Sequence, residues 1–103
     1  MAIQLSATHF EFPSVTGSAQ SQTRTVLFNG TVQRAVAAVQ GFDIHYNNGD
    51  HHVLQERVKL SVVGISGNAV NVSASFLLRD SSGSIDDPYS GNVDAVVIAD
   101  VAA

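Results

Sequence analysis

An all-β fold, a single antiparallel β-sandwich of about six strands, is predicted for this chain of 103 residues. Three observations predict it. Apolar and polar residues alternate in segment after segment, mostly of roughly 8 to 12 residues, which is the period of a half-buried strand. The segments are joined by Gly, Asn and Ser turns, and none carries a sustained helical period. A small barrel is the other closure open to such a pattern.

Residues 1–21 are rich in Ser, Thr, Ala and Gln and read as an N-terminal strand or arm, distinct from a sandwich domain over residues 22–103. Phe10 and Phe12 alternate with His9 and Glu11, which predicts a short edge strand ended by Pro13; Ser14 to Ser21 then read as loop or arm. From Thr23 the β signal is sustained, and Asn29-Gly30 predicts a hairpin turn. Thr31 to Tyr46 is read as a strand although Ala35-Val36-Ala37-Ala38-Val39 would equally suit a helix interior. The flanking Val, Thr and aromatic residues decide for strand, and Gly41 marks a bulge.

Asn47-Asn48-Gly49-Asp50 has the chemistry of a turn, with His51 and His52 at the entrance of the next strand. Val58, Leu60 and Val62 share one face against Arg57, Lys59 and Ser61, and the strand closes at Ser66-Gly67-Asn68. Val70, Val72, Ala74, Phe76 and Leu78 form the clearest alternation of all. A polar loop from Asp80 to Gly91 follows, and Val93 to Val101 is the closing strand, with Val96 and Ile98 giving it apolar residues on both faces.

The length suits one hydrophobic core and not two. Charged residues are only 14% of the chain, against roughly 25% in ordinary globular proteins, so the surface is a neutral one of hydroxyls and amides. Such a surface suits carbohydrate contact or a protein interface. The five basic residues are scattered along the sequence and the net charge is −4, so no basic stripe to meet nucleic acid is expected. Cysteine is absent, which excludes disulfides, thiolate zinc sites and cysteine nucleophiles. No signal-peptide pattern opens the chain and no apolar run has the length of a membrane span, so cytoplasmic synthesis without membrane insertion is expected, and the compartment of action stays open.

Two polar loops concentrate the ionisable groups. In Asp50-His51-His52 the two imidazoles of consecutive strand residues point to opposite faces, so they do not make a metal site by themselves. Asp80, Ser82, Ser84, Asp86 and Asp87 offer the oxygen ligands that calcium prefers, with Asp80, Asp86 and Asp87 as the carboxylates. The spacing is not that of an EF-hand, which needs Gly at its sixth position and Glu at its twelfth where this loop has Ile85 and Gly91. No cofactor is expected. No nucleophile elbow is present, since Gly64-Ile65-Ser66-Gly67 reads as a turn, and the expectation is a protein that is not an enzyme.

Phe28 ahead of an apolar strand, Gly41-Phe42-Asp43-Ile44 at its end, Glu56-Arg57-Val58-Lys59-Leu60, the hairpin Ile65-Ser66-Gly67-Asn68 and the closing strand Val93 to Val101 occur in an order that resembles the H-type lectin domain. The resemblance spans residues 26–101 and implies a small antiparallel sandwich that binds N-acetylgalactosamine-type sugars as a trimer or hexamer. It implies Arg57, Arg79 and Asp80 as sugar contacts, and the Trp expected beside the sugar is absent; in a carbohydrate site built this way His52 or Tyr89 would be the flanking contacts. A carbohydrate-binding module working as a symmetric oligomer is therefore the expected function. The alternative is a structural, self-assembling sandwich subunit of a phage, injection-system or filament assembly, with the N-terminal arm adding a strand to a neighbour.

Overall fold

The computed structural model describes residues 2–49 and 51–102. They form six strands, β1 Ala2–Val15, β2 Gln20–Leu27, β3 Val32–Tyr46, β4 Val53–Ser66, β5 Ala69–Asp80 and β6 Tyr89–Val101, with no helix among them. The strands make two antiparallel three-stranded sheets, sheet A in the order β1-β6-β3 and sheet B in the order β2-β5-β4. The two sheets pack on each other as a sandwich. Strands of 14 and 15 residues, at roughly 3.3 Å per residue, account for a body 52 Å long and only 19 by 18 Å across.

The two clearest alternations take the two central places, β5 and β6. Val70, Val72, Ala74, Phe76 and Leu78 of β5 face Tyr89, Val93, Ala95, Val97, Ala99 and Val101 of β6, and all of them are buried. The core is mostly Ala and Val toward Val70 and Val101, where Phe28 also lies, and is filled by aromatic rings at the other end, where Phe12 and Phe76 stack with centroids 4.4 Å apart and Tyr89 lies 5.9 Å beyond Phe76. Gly91 has φ 154° and sits where a Cβ would run into the Asp43 carbonyl of β3 and meet the Phe76 ring at 3.0 Å. Only glycine allows β3 to come that close.

Three sequence expectations change. Residues 2–15 are not an arm apart from the sandwich: β1 pairs with β6 from Ala2 opposite Val101 to Phe12 opposite Gly91, and Phe10 and Phe12 belong to the core. The strand also runs through Pro13, which an edge position tolerates because no ladder donor is needed there. Asn29-Gly30 is a turn but not a hairpin, since β2 lies in sheet B and β3 in sheet A. Buried Val26 and Phe28 before the turn and Val32 after it carry the chain across the sandwich.

The hairpin at Gly67-Asn68 is present, with Ser66 opposite Ala69. The bulge expected at Gly41 is present as a register shift between Val39 and Gly41. The loop expected over residues 80–91 is shorter, because β5 includes Asp80 and β6 begins at Tyr89.

Where β1 and β2 meet along the seam, Gln20 Nε2 donates to the Pro13 carbonyl at 3.0 Å and Gln22 Nε2 donates to the Glu11 carbonyl. These side chains take over edge carbonyls that no strand covers.

Candidate functional site

Three surfaces carry side chains capable of recognition: the outer face of sheet B, the outer face of sheet A, and the end where the two polar loops meet.

Alternation settles which residues sheet B turns outward. The even residues of β5 and Val58, Leu60 and Val62 of β4 pack into the core, so the odd residues face away from it. In register across the sheet, Thr23, Ser73 and Ser61 form one row, and Ser21, Ser75 and Lys59 the next. Beside them Thr25 Oγ1 donates to Asn71 Oδ1 at 2.6 Å. Arg57 stands opposite Leu77, and Arg79 lies two residues along β5 opposite Gln55. Leu77 is 1% exposed although it faces away from the core. The aliphatic stems of Arg57 and Arg79 are placed to shield it. Both arginines are half-buried, and both have a buried Nε without an acceptor.

Asp80, grouped with those arginines by the sequence, lies on the other side of β5. It belongs to the cluster at the loop end, where the two polar loops come together. Asn48 Nδ2 donates to Asp87 Oδ1 at 3.0 Å, His51 Nε2 stands 2.8 Å from Asn48 Oδ1 and 3.5 Å from Asp87 Oδ1, and the Asn47 amide donates to the Pro88 carbonyl. The Tyr46 and His51 rings meet edge-on with centroids 4.7 Å apart. Ligand atoms of His51, Asp80 and Asp87 all lie within 4.8 Å of one another, while Asp86 is exposed and outside that trio. Asp50 lies outside the described residues.

The electrostatics of the trio follow from its hydrogen bonds. The Ser82 hydroxyl, 2.5 Å from Asp80 Oδ1, holds the Asp80 carboxyl down to about 2, helped by a hydrogen bond from Asp87. Asp87 moves up: the Asn48 amide pulls it down, but the bond to Asp80, burial and the nearby Asp86 outweigh that pull. The two carboxyls thus ionise in sequence, Asp80 ahead of Asp87. Burial first, and then the charges of Asp80 and Asp87, push the Tyr46 hydroxyl above its ordinary value. His51 and the two carboxylates are ligand types that a divalent cation accepts. Here their oxygens are already engaged by Ser82, Asn48 and each other.

Sheet A divides into two halves on its outer face. Toward the loop end, His9 Nδ1 is 2.5 Å from Asp94 Oδ1 and its Nε2 is 2.6 Å from Glu11 Oε1. The hydrogen bond to Asp94, then that to Glu11, raises the imidazole above its ordinary value. Asp43, His45 and Ser90 stand nearby, with His45 Nδ1 3.4 Å from Asp43 Oδ1 and His45 Nε2 3.5 Å from Ser90 Oγ. This has the composition of a catalytic triad. Its geometry is that of a surface network, because the Ser90 hydroxyl donates to Asn47 Oδ1 at 3.1 Å and both carboxylate and imidazole are half or more exposed.

The other half of that face is apolar. Leu5, Ile98 and Val36 form one row and Ala7, Val96 and Ala38 the next, with Ile3 beside them. Ile3, Leu5 and Val36 are 64%, 66% and 60% exposed. A shallow hollow lined by Ile3, Arg34, Ala35, Val36, Ile98 and Asp100 interrupts the patch. Asp100 is 6% exposed there; its Oδ2 accepts from Arg34 Nη2 at 3.1 Å, and its Oδ1 is buried without a donor.

Of the residues expected at a sugar site, Arg57 and Arg79 come together on one face. Asp80 is turned away from them. His52 is exposed in the connection ahead of β4. Tyr89 is fully buried, its hydroxyl donating to the carbonyls of Ser18 at 2.7 Å and Phe76 at 3.2 Å, so it is a core residue and not a flanking contact. Sequence reasoning missed Lys59, Ser61, Ser73, Ser75 and Thr23 as neighbours of the arginines. Their odd-numbered alternation was visible, but not the register that aligns three strands. The His9, Glu11 and Asp94 network was equally hidden, since 85 residues separate His9 from Asp94. The chain matches no protein-family model, no curated protein and no solved structure.

Proposed function

We propose that the chain is a carbohydrate-binding module that uses the outer face of sheet B, without a catalytic step. One observation carries the reading: three strands present aligned Ser, Thr and Asn side chains, bordered by Arg57, Lys59 and Arg79, with no described carboxylate among them. Hydroxyls and amides both donate and accept, as sugar hydroxyls do, and guanidinium groups add fixed donor forks. A flat face of this kind suits an extended glycan lying across it. The six-stranded sandwich is the scaffold that the resemblance to H-type lectins implies, and Arg57 is the residue shared by that resemblance and this face. Asp80 and Tyr89 have no part in the reading, and His52 is a peripheral contact.

The apolar half of the outer face of sheet A supports self-association, as a trimer or hexamer that gathers weak sites into avidity. The same patch is the observation that favours the second reading, a structural subunit whose assembly is the function itself. A glycan array tests the first: the intact protein should label a defined set of glycans, and Arg57→Ala should lose the label while the oligomer persists. A blank array for the intact protein overturns it. Sedimentation of Leu5→Glu separates the two readings. A lectin reduced to monomers keeps its binding to a single immobilised sugar at lower avidity, whereas a structural subunit loses its only activity.

A further inference from the structure

We infer that the saccharide is an acidic one, whose carboxylate or sulfate group sits between Arg57 and Arg79. The inference rests on the carbohydrate reading above and narrows its ligand class.

The charges of this chain are sorted by face. Nine acidic residues outnumber five basic ones. Yet Glu11, Asp43, Asp94 and Asp100 all lie on the outer face of sheet A, and Asp80, Asp86 and Asp87 lie at the loop end. Glu56 pairs with Leu78 and so points to the opposite side of β4 from Arg57. Two of the five cations are committed elsewhere, Arg34 to Asp100 and Arg24 over the Phe10 ring at 6.0 Å. The remaining three, Arg57, Lys59 and Arg79, share the outer face of sheet B. Among the described residues none of them has a carboxylate within 4.0 Å.

Arg57 and Arg79 are diagonal neighbours across β4 and β5, a placement that separates residues by roughly 7 to 8 Å, somewhat less at their β-carbons. Two half-buried guanidinium groups on adjacent strands of one face repel one another, and an anion placed between them turns the repulsion into two charge-assisted forks. Lys59 stands one strand repeat, roughly 6.6 Å, beyond Arg57 and offers a second charge before the Ser and Thr rows begin. A neutral glycan would leave all three cations unanswered. A nucleic-acid strand would find phosphate contacts but no aromatic ring on this face for its bases to stack on.

The test measures binding of the full chain to tetragalacturonate, to its methyl ester, to a chondroitin sulfate tetrasaccharide and to oligothymidylate by titration calorimetry, at low and high salt. An acidic saccharide, uronate or sulfate, should bind at least about tenfold more tightly than the neutral ester and weaken as salt rises. Arg57→Gln and Arg79→Gln should each weaken it by about tenfold or more, and His9→Gln on the opposite sheet should not. If either arginine variant fails to fold, the exposed Lys59→Gln should still show a several-fold loss. Ester bound as well as acid overturns the acidic ligand and leaves the carbohydrate reading standing. Equal binding of oligothymidylate overturns it in favour of a phosphate partner. No binding here together with a blank array overturns both.

Discussion

The rings of Phe12 and Phe76 lie 4.4 Å apart and 1° from parallel, one from the edge strand of sheet A and the other from the central strand of sheet B. Their contact ties the two sheets at the end of the core where Tyr89 also lies. In a sandwich this narrow few side chains span the gap, so each that does carries a large share of the packing.

Phe76→Ala should therefore cost about 3–5 kcal/mol of unfolding free energy, measured by urea titration. Phe42→Ala, at a residue 50% exposed on β3, should stay within about 0.5 kcal/mol of the parent. Equal losses at the two sites would show that the stack is not what holds the sheets together.

Gly91→Ala should be among the most damaging single substitutions. The methyl group would meet both the Asp43 carbonyl and the Phe76 ring, in a backbone conformation at φ 154° that L-residues avoid. The expected loss is about 3 kcal/mol or more, or failure to fold. Gly41→Ala, where nothing lies within 4 Å of a new Cβ, is the matched control. Calorimetric melts of the two proteins decide between them.

His9 should titrate above 6.5, and Asp94→Asn should bring it back toward that value, read from its imidazole proton shifts by NMR. The sign of the linked stability follows. A raised value in the folded chain means stability that is fully present below 6.5 and is lost as pH rises through the folded value. Melting temperature should thus fall across that interval in the parent and stay flatter in His9→Gln.

Asp80 and Asp87 should behave oppositely. Asp80 is lowered from 3.8 to about 2, so its stabilisation is present above 3.8 and is lost as pH falls through about 2. Asp80→Asn should lower the melting temperature at neutral pH and matter little at pH 2. Asp87 is raised, so its ionised form is the disfavoured one, and Asp87→Asn should not destabilise the protein at neutral pH. A scan of melting temperature against pH for both variants checks the pair.

The central strands were the most legible part of the sequence, because a strand flanked on both sides must bury every second residue, as Val70 to Leu78 and Val93 to Val101 do. Asn29-Gly30 misled because turn chemistry is local: it reports a reversal of direction and not whether the next strand joins the same sheet. The N-terminal segment was undervalued because only Phe10 and Phe12 of β1 reach the closed part of the core. At the site, Arg57 and Arg79 could be picked out by residue type alone. Their separation from Asp80 depends on the parity of β5, which alternation does contain, since residues 79 and 80 point to opposite faces. The meeting of His51 with Asp80 and Asp87 joins segments about 30 residues apart, and only the folded arrangement reveals it.

The register of β1 on β6, with Ala2 opposite Val101, brings the two ends of the described chain side by side. A pull applied through those ends would load the β1–β6 ladder one hydrogen-bonded pair at a time, as a zipper opens, and not all pairs together in shear. Strung between anchors at these two points, the sandwich would be a mechanically soft link that peels β1 away from the Ala2 end first. Held by its broad faces, as a ligand or a neighbouring copy would hold it, the same ladder is not loaded along its weak direction.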